Sequence, residues 1–415
     1  MIGLPTNRLA AALLATLLGA CGSGSGEPTV GSSDAMLVNL TTVHDQQRPV
    51  VASNGNGRGV VVWESFGQDG SHLGIFARRI VDGAAAGPEF QVNTYTASRQ
   101  SFPAVGMDAD GDFVIAWRSS LQGSPGGTIF AQRFAADGTR LGEEFRVGPD
   151  DSARDSQSEP QMAMGADGSF VIAWSNREVG ALAEALGQNQ LEDRWIEARV
   201  YNADGSARTA PTRVTAQATD RFPRAPRVAM DAQGNIVLVW ATAAAGTVLR
   251  AQHFGPDLLP LSEPYDINEL SAEVDADLAS VAMAPSGAFA IAWEAFTFGN
   301  RPLGIFVRRY DGPQRPVGPA QVIAPPSSGL VERNAIDLAP SGDLLLVAQS
   351  DDRVRFAVQR ADGSVFGPLL VSDAAFPSLF GSVARSGDGR ALIAWQSFGA
   401  DGDGRGVHAR ELSWR

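Results

Sequence analysis

The chain has 415 residues, of which 44% are apolar, and its formal net charge is −13. This length and apolar content allow a large hydrophobic core, whereas the acidic balance argues against nucleic acid as a partner because a phosphate backbone would be repelled. One Cys and four His are too few for a disulfide framework or a zinc cage. We therefore expect a globular protein held together by its apolar core, with no metal ion and no cofactor.

The first twenty residues have the features of a secretory signal peptide. Arg8 is their only charged residue, and the segment from Leu9 to Ala20 is largely apolar. The run Leu18-Gly-Ala-Cys21 resembles the bacterial lipobox, in which the cysteine becomes a lipid-bearing N-terminus, and Cys21 is the only cysteine in the chain. An ordinary signal peptide with a chance cysteine is the alternative interpretation.

Three segments follow from this assignment. We predict a lipoprotein signal peptide over residues 1–20, a lipidated Cys21 with a flexible tether over 21–34, and one folded domain over 35–415. The protein is then expected to be extracytoplasmic and held on the cell envelope by its lipid, in the outer membrane if the cell is Gram-negative. A membrane contact through the lipid, an unidentified protein or glycan partner and a monomeric state complete this expectation.

A short apolar run ending in Trp recurs through the folded domain. Its clearest copies are Phe113-Val-Ile-Ala-Trp117, Phe170-Val-Ile-Ala-Trp174 and Phe289-Ala-Ile-Ala-Trp293. Seven copies lie roughly 46 to 66 residues apart, a spacing typical of four-stranded propeller blades. Tight turns such as Ala109-Asp-Gly-Asp112 separate short alternating strands, because Asp-Gly supplies the positive φ that hairpins need. The pattern predicts an all-β fold, a seven-bladed β-propeller of antiparallel blades with strands a to d running outward.

The two ends of the chain predict how the ring closes. The seventh unit stops after strand c, at Gly406 to Leu412, and the segment from Val38 to Pro49 parallels the segment from Val92 to Pro103. We therefore expect residues 36–40 to supply the missing outer strand of the last blade, which leaves no open seam.

The connections at the two ends of the blades differ in length. Turns from a to b and from c to d are expected to be short, whereas loops from b to c and from d to the next a are long, and variable loops on a rigid scaffold are where recognition usually resides. We call the end that carries the long loops the loop-rich end. The candidate ligand-binding residues at the mouth of its channel are Arg48, Glu64, Arg99, Arg118, Arg221, Glu294 and Arg333.

Two other features of the sequence have simpler explanations. The Trp series is best explained as packing between blades. Asp-rich turns such as Asp108-Ala-Asp-Gly-Asp112 suggest calcium, but equivalent turns such as Pro285-Ser-Gly287 lack a carboxylate, so hairpin geometry accounts for all of them. No nucleophile elbow or local Ser-His pairing is present.

The strings Gly-Ile-Phe-Ala-Arg-Arg (74–79), Val-Asn-Thr-Tyr-Thr (92–96) and Phe-Val-Ile-Ala-Trp (113–117) resemble the repeats of secreted bacterial β-propeller proteins. The resemblance covers residues 35–415 and implies a seven-bladed propeller, but it brings no set of catalytic residues. We expect a non-catalytic binding or scaffold module. The alternative is an envelope glycan hydrolase or lyase that uses acidic residues such as Glu64 and Glu294 at the channel mouth.

Overall fold

A computed structural model describes the chain in ten ranges, which are 30–123, 126–149, 156–179, 192–215, 220, 222–243, 247–268, 274–297, 301–324 and 334–414. Within these ranges the regular structure is entirely β, with strands β1 to β29 arranged in seven antiparallel sheets. The described residues form no helix long and apolar enough to cross a membrane. The predicted seven-bladed propeller is confirmed.

The first four blades take their strands in chain order. Blade 1 contains β3 (Gln46–Ser53), β4 (Arg58–Phe66), β5 (Leu73–Val81) and β6 (Ala84–Gln91). Blade 2 contains β7 (Gln100–Met107), β8 (Phe113–Ser119), β9 (Thr128–Phe134) and β10 (Phe145–Arg146). Blade 3 contains β11 (Ser156–Met164), β12 (Phe170–Val179), β13 (Glu192–Tyr201) and β14 (Thr212–Arg213). Blade 4 contains β15 (Arg224–Met230), β16 (Ile236–Ala243), β17 (Thr247–Phe254) and β18 (Tyr265–Asp266).

The remaining blades follow the same order except at the seam. Blade 5 contains β19 (Val274–Met283), β20 (Phe289–Thr297), β21 (Pro302–Tyr310) and β22 (Gln321–Ala324). Blade 6 contains β23 (Asn334–Leu338), β24 (Leu344–Ser350), β25 (Arg353–Gln359) and β26 (Val365–Leu370). Blade 7 contains β27 (Ser378–Gly387), β28 (Arg390–Phe398) and β29 (Arg405–Trp414), completed by β1 (Val30–Ser32) and β2 (Met36–Leu37).

Aspartate side chains close the turns between the first two strands of several blades. Asp108 Oδ1 accepts hydrogen bonds from the backbone N–H groups of Asp110 at 3.0 Å and Asp112 at 2.9 Å. Gly111, inside this turn, has φ +91°, which an L side chain tolerates poorly. These carboxylates therefore shape hairpins, as the sequence suggested. The connections from c to d in blades 2 to 5 are longer than we predicted, and an isolated bridge such as Phe134 to Arg140 divides each of them.

Each Trp of the repeat packs between two blades. Trp63 of blade 1 lies in a buried cluster with Leu392 and Ala394 of blade 7, and Trp117 of blade 2 lies in one with Val60 and Val62 of blade 1. All six Trp side chains of the repeat are at most 1% exposed. They supply the large rings of the inter-blade core, and burial of rings of this size contributes strongly to stability.

The innermost strands of blades 2 and 3 come very close together at Gly106. A Cβ at Gly106 would lie 2.8 Å from the Cβ of Met164 on the neighbouring inner strand, so only glycine fits there. Alanine occupies the same register in the other blades except blade 6, where Asp337 pairs with Leu345. Asp337 accepts a hydrogen bond from the backbone N–H of Arg385 at 2.6 Å, so it connects blade 6 to blade 7.

The ring is closed by the N-terminal segment, as predicted, but the closure starts earlier than we expected. Strand β1 pairs Val30 with Trp414 and Ser32 with Leu412, ahead of the predicted strand at 36–40. Strand β2 then pairs Met36 with Ala409. The last part of the predicted tether is thus a strand, and the tether prediction now concerns residues 21–29, which lie outside the described ranges.

Candidate functional site

A repeated β-bulge changes the direction of the side chains on the inner strands of six blades. In blade 1 the pairing jumps from Gln47 with Glu64 to Val50 with Val62, so Arg48 and Pro49 together oppose Trp63. The first bulge residue has positive φ, +53° at Arg48. Five further blades have the same bulge opposite their Trp, and its first residues are Phe102, Glu159, Ala225, Leu278 and Phe380. Bulges of this kind re-aim side chains and are common next to functional sites.

These bulges surround a cavity in the part of the channel that faces the loop-rich end. Its volume is about 320 Å³, which lies within the range of small-ligand sites. All seven inner strands contribute to its wall. Five of the six first bulge residues line it, which are Arg48, Phe102, Glu159, Leu278 and Phe380. Charged, aromatic and aliphatic groups therefore converge on one opening.

Arg48 is held between two aromatic rings at this opening. Its guanidinium carbon lies 4.8 Å from the ring centroid of Phe102 and 5.7 Å from that of Phe380. Its backbone N–H donates to Gln396 Oε1 at 2.8 Å. Blades 7, 1 and 2 thus build a cation–π group that fixes the position of a positive charge.

A second guanidinium, that of Arg227, enters the same cavity from blade 4. Its Nη1 donates to the carbonyl of Pro226 at 2.8 Å. Burial inside the channel lowers the pKa of the Arg227 guanidinium, and the carboxylates of Glu159 and Asp277 oppose that shift. Asp277 is itself paired with Arg224 at 3.0 Å, so it neutralises Arg227 only in part.

Polar groups without charge complete the wall on the side of blades 5 and 6. Ser280 Oγ donates to Asn334 Oδ1, and Asn334 Nδ2 donates to the carbonyl of Leu278 at 2.7 Å. Gln161, from blade 3, also lines the cavity. The cavity therefore offers hydroxyl and amide groups as well as charge.

Glu64, predicted at the mouth, is a buried support for it. The side chain is 1% exposed, Oε1 accepts from the backbone N–H of Phe102 at 2.8 Å and Oε2 accepts from Gln47 Nε2 at 3.0 Å. Gln396 makes the corresponding contact to Arg48 from blade 7. Glu64 thus holds the bulge of the next blade in place and does not line the cavity. Glu294 occupies the equivalent position in blade 5 and is 5% exposed.

Arg118, also predicted at the mouth, connects two neighbouring blades. Its Nε donates to the carbonyl of Gln157 at 3.0 Å and its Nη2 donates to the carbonyl of Gly126 at 2.6 Å, so it joins blade 2 to blade 3. Burial lowers the pKa of Arg118, and the nearby positive charge of Arg99 lowers it further. Arg99 is exposed and lies outside the cavity wall.

Of the five predicted ligand-binding residues that the structure describes, Arg48 alone lies in the cavity wall. Arg221, Arg333 and the predicted lipidation site Cys21 lie outside the described residues. Sequence reasoning missed Phe102, Glu159 and Phe380 on the bulges. The first two could have been found, because each precedes a proline at the start of strand a, as Arg48 does.

In the described part of the chain no group of three or more His, Cys, Asp or Glu side chains is arranged to hold a metal ion. Asp108, the first carboxylate of the most acidic turn, is occupied by the backbone N–H groups of its own hairpin. Burial raises the pKa of Asp108 above its usual value.

Comparison with known proteins supports the propeller fold but assigns the chain to no family. No family model matches the chain, and neither does any curated protein. A protein of unknown function from Dyadobacter fermentans is similar in structure, with a TM-score of 0.53, 11% identity, and coverage of 93% of this chain and 99% of that one. A PL25 ulvan lyase bound to a glucuronate-rhamnose sulfate unit has a TM-score of 0.52, 10% identity, and coverage of 77% and 80%. At these identities the likeness concerns the fold alone.

Proposed function

We propose that this protein is a lipid-anchored, non-catalytic binding module of the cell envelope, and that it binds its ligand in the cavity at the loop-rich end. The observation that carries this proposal is the convergence of Arg48, Arg227, Glu159 and two Phe rings on one concave opening of about 320 Å³. A concave site with a few convergent polar groups on a rigid scaffold is the usual form of a ligand site.

The location rests on the N-terminal sequence. Cys21 after Leu-Gly-Ala would carry the lipid, and the short segment before β1 would link it to the ring. The signal peptide, the membrane contact and a place in the outer membrane of a Gram-negative cell are all parts of this proposal. A glycan or protein of the envelope is the proposed partner, and the protein is proposed to act as a monomer.

A glycan hydrolase or lyase is the second candidate, supported by the shared fold with the ulvan lyase. Glycoside hydrolysis commonly needs two carboxyl groups flanking the scissile bond. Among the described residues that line the cavity, Glu159 is the only carboxylate, and Glu64 uses both its oxygens inside the protein. A single carboxylate among the described residues of the cavity wall favours binding over hydrolysis. Glu159 is therefore the residue to substitute in a test for turnover.

The test is a panel of envelope polysaccharides and cell-wall fragments, scored for both binding and cleavage. We expect binding without cleavage, and we expect Arg48→Ala to weaken it because the side chain lies in the cavity wall. Asp137→Lys is the matched control, since Asp137 belongs to an exposed hairpin between strands c and d at the opposite end. Turnover that disappears in Glu159→Gln would contradict a non-catalytic role. Binding that responds to Asp137→Lys and not to Arg48→Ala would move the site to the other end.

A further inference from the structure

Neither of the two guanidinium groups in the cavity forms a direct ion pair with a carboxylate of the described part of the chain, although Glu159 and Asp277 act on Arg227 electrostatically. The guanidinium of Arg227 donates a hydrogen bond to the carbonyl of its neighbour Pro226. The nearby carboxylate of Asp277 forms its ion pair with Arg224 instead. Arginine has five N–H donors in a planar fork that fits a carboxylate or sulfate. The cavity therefore contains donors that no acceptor among the described residues uses.

Arg48 presents its charge in a complementary way. Its guanidinium carbon lies 4.8 Å from the ring centroid of Phe102 and 5.7 Å from that of Phe380. Attraction to an aromatic ring uses no hydrogen-bond acceptor, so the N–H groups of Arg48 stay able to donate. Contact with two rings restricts the side chain, which reduces the entropy lost when a ligand binds.

The local charge of the cavity is opposite to that of the whole protein. The chain carries a formal net charge of −13, yet the charged residues lining the cavity are two arginines, Arg48 and Arg227, and one glutamate, Glu159. Arg48 lies in blade 1 and Arg227 in blade 4, so they approach the cavity from different sides of the seven-bladed ring. An anion entering the mouth meets positive charge from both.

We propose that the ligand carries a carboxylate group, in the form of a uronic acid unit of an acidic glycan, and that Arg227 and Arg48 bind this group. The inference rests on the proposed function, because it names the ligand class of the same site. The hydroxyl and amide groups of Ser280, Asn334 and Gln161 line the remaining wall and suit the hydroxyls of a sugar ring. The cavity of about 320 Å³ is of a size for one such unit rather than for a folded partner.

Isothermal titration of the full-length protein in detergent tests the inference directly. The probes are galacturonate, mannuronate and glucuronate oligosaccharides, each paired with its carboxyl-reduced counterpart, which has the same length and no charge. We expect at least one uronate series to bind and its reduced counterpart to bind at least tenfold more weakly. Free glucuronic acid separates recognition of a single unit from recognition of a chain.

The variants are Arg227→Gln, Arg227→Lys and the control Arg315→Gln. Removing one member of a desolvated charge pair usually weakens binding by about 30-fold or more, so we expect that loss in Arg227→Gln. Arg227→Lys should keep part of the affinity because it retains the charge without the planar fork. Arg315 pairs with Asp311 on an exposed hairpin outside the cavity wall, with 67% of its side chain exposed, so Arg315→Gln should bind like the unaltered protein.

Thermal unfolding of each variant shows whether a loss of binding reflects loss of the fold. Equal affinity for uronates and their reduced counterparts, or uronate binding unchanged in Arg227→Gln, would overturn the carboxylate inference and leave the loop-rich site intact. Uronate binding that is lost in Arg315→Gln and kept in both Arg227 variants would overturn the site itself.

Discussion

Asn39, just after strand β2, joins the N-terminal segment to the last strand of the ring. Its Oδ1 accepts from the backbone N–H of Val407 on the last strand at 2.7 Å. Its Nδ2 donates to the carbonyl of Thr41 at 2.9 Å and to Gln46 Oε1 at 3.3 Å. The side chain is 1% exposed, so water cannot replace these partners without rearrangement.

Asn93 makes the same set of contacts inside a continuous part of the chain. Its Oδ1 accepts from the N–H of Ile75 at 2.7 Å, and its Nδ2 donates to the carbonyl of Tyr95 at 3.0 Å and to Gln100 Oε1 at 3.4 Å. The two asparagines therefore form a matched pair. One of them joins the two ends of the chain, and the other joins neighbouring strands of blade 1.

Asn39→Ala should lower the free energy of unfolding by about 2 kcal/mol, because a buried N–H left without an acceptor costs about 1 to 3 kcal/mol. Asn93→Ala should lower it by a similar amount. Asn202→Ala is the control, since Asn202 donates to Ser206 Oγ on an exposed turn and its loss should cost less than about 0.5 kcal/mol. Urea denaturation followed by tryptophan fluorescence measures all three.

If Asn39→Ala behaves like Asn202→Ala while Asn93→Ala loses about 2 kcal/mol, the N-terminal segment does not complete blade 7 in solution. A larger loss in Asn39→Ala than in Asn93→Ala would still agree with closure, because the strands at the seam are short and have no covalent connection to their neighbour in blade 7.

Three other predictions concern the ends of the chain and its pH dependence. Deleting residues 30–37 should expose the edge of β29, which should lower the denaturation midpoint and increase light scattering through edge-to-edge association. Deleting residues 22–29 should leave the midpoint unchanged. Equal midpoints for the two deletions would contradict closure of the ring by β1 and β2. Cys21→Ser should move the protein from the detergent phase to the aqueous phase or block its processing, because the lipid would supply the membrane affinity. Unchanged partitioning would contradict the lipoprotein prediction. Burial lowers the pKa of His253 to about 4, so the unfolded chain takes up a proton more readily than the folded one as the pH falls from 6.5 toward 4. Stability measured by urea denaturation should therefore fall across that window, and His253→Gln should reduce the slope; an unchanged slope would contradict a neutral, buried imidazole.

The ring and its Trp layer could be predicted from the sequence because the repeat encodes them locally. A buried strand ending in Trp, followed by alternation and Asp-Gly turns, leaves few alternatives for the fold. The start of the closing strand was less clear, since Gly31 and the serines after it show no apolar alternation. Their pairing with β29 depends on the other end of the chain, which local patterns do not encode.

The candidate site was harder to predict because bulges decide which side chains reach it. Glu64 follows a Trp toward the loop-rich end and looks exposed in the sequence, but the bulged backbone at Phe102 needs an acceptor and Glu64 is buried to provide one. Arg118 likewise binds the carbonyls of Gln157 and Gly126. Arg48 reaches the cavity because it is the first residue of its bulge, a position that depends on two residues opposing one Trp.

A crystal structure of the protein soaked with the tightest-binding saccharide of the panel would show whether the ligand binds in the cavity at the loop-rich end. We expect ligand density inside the ring of inner strands, in contact with Arg48 and Arg227. Density at the hairpin around Asp137, at the opposite end, with an empty cavity would contradict it.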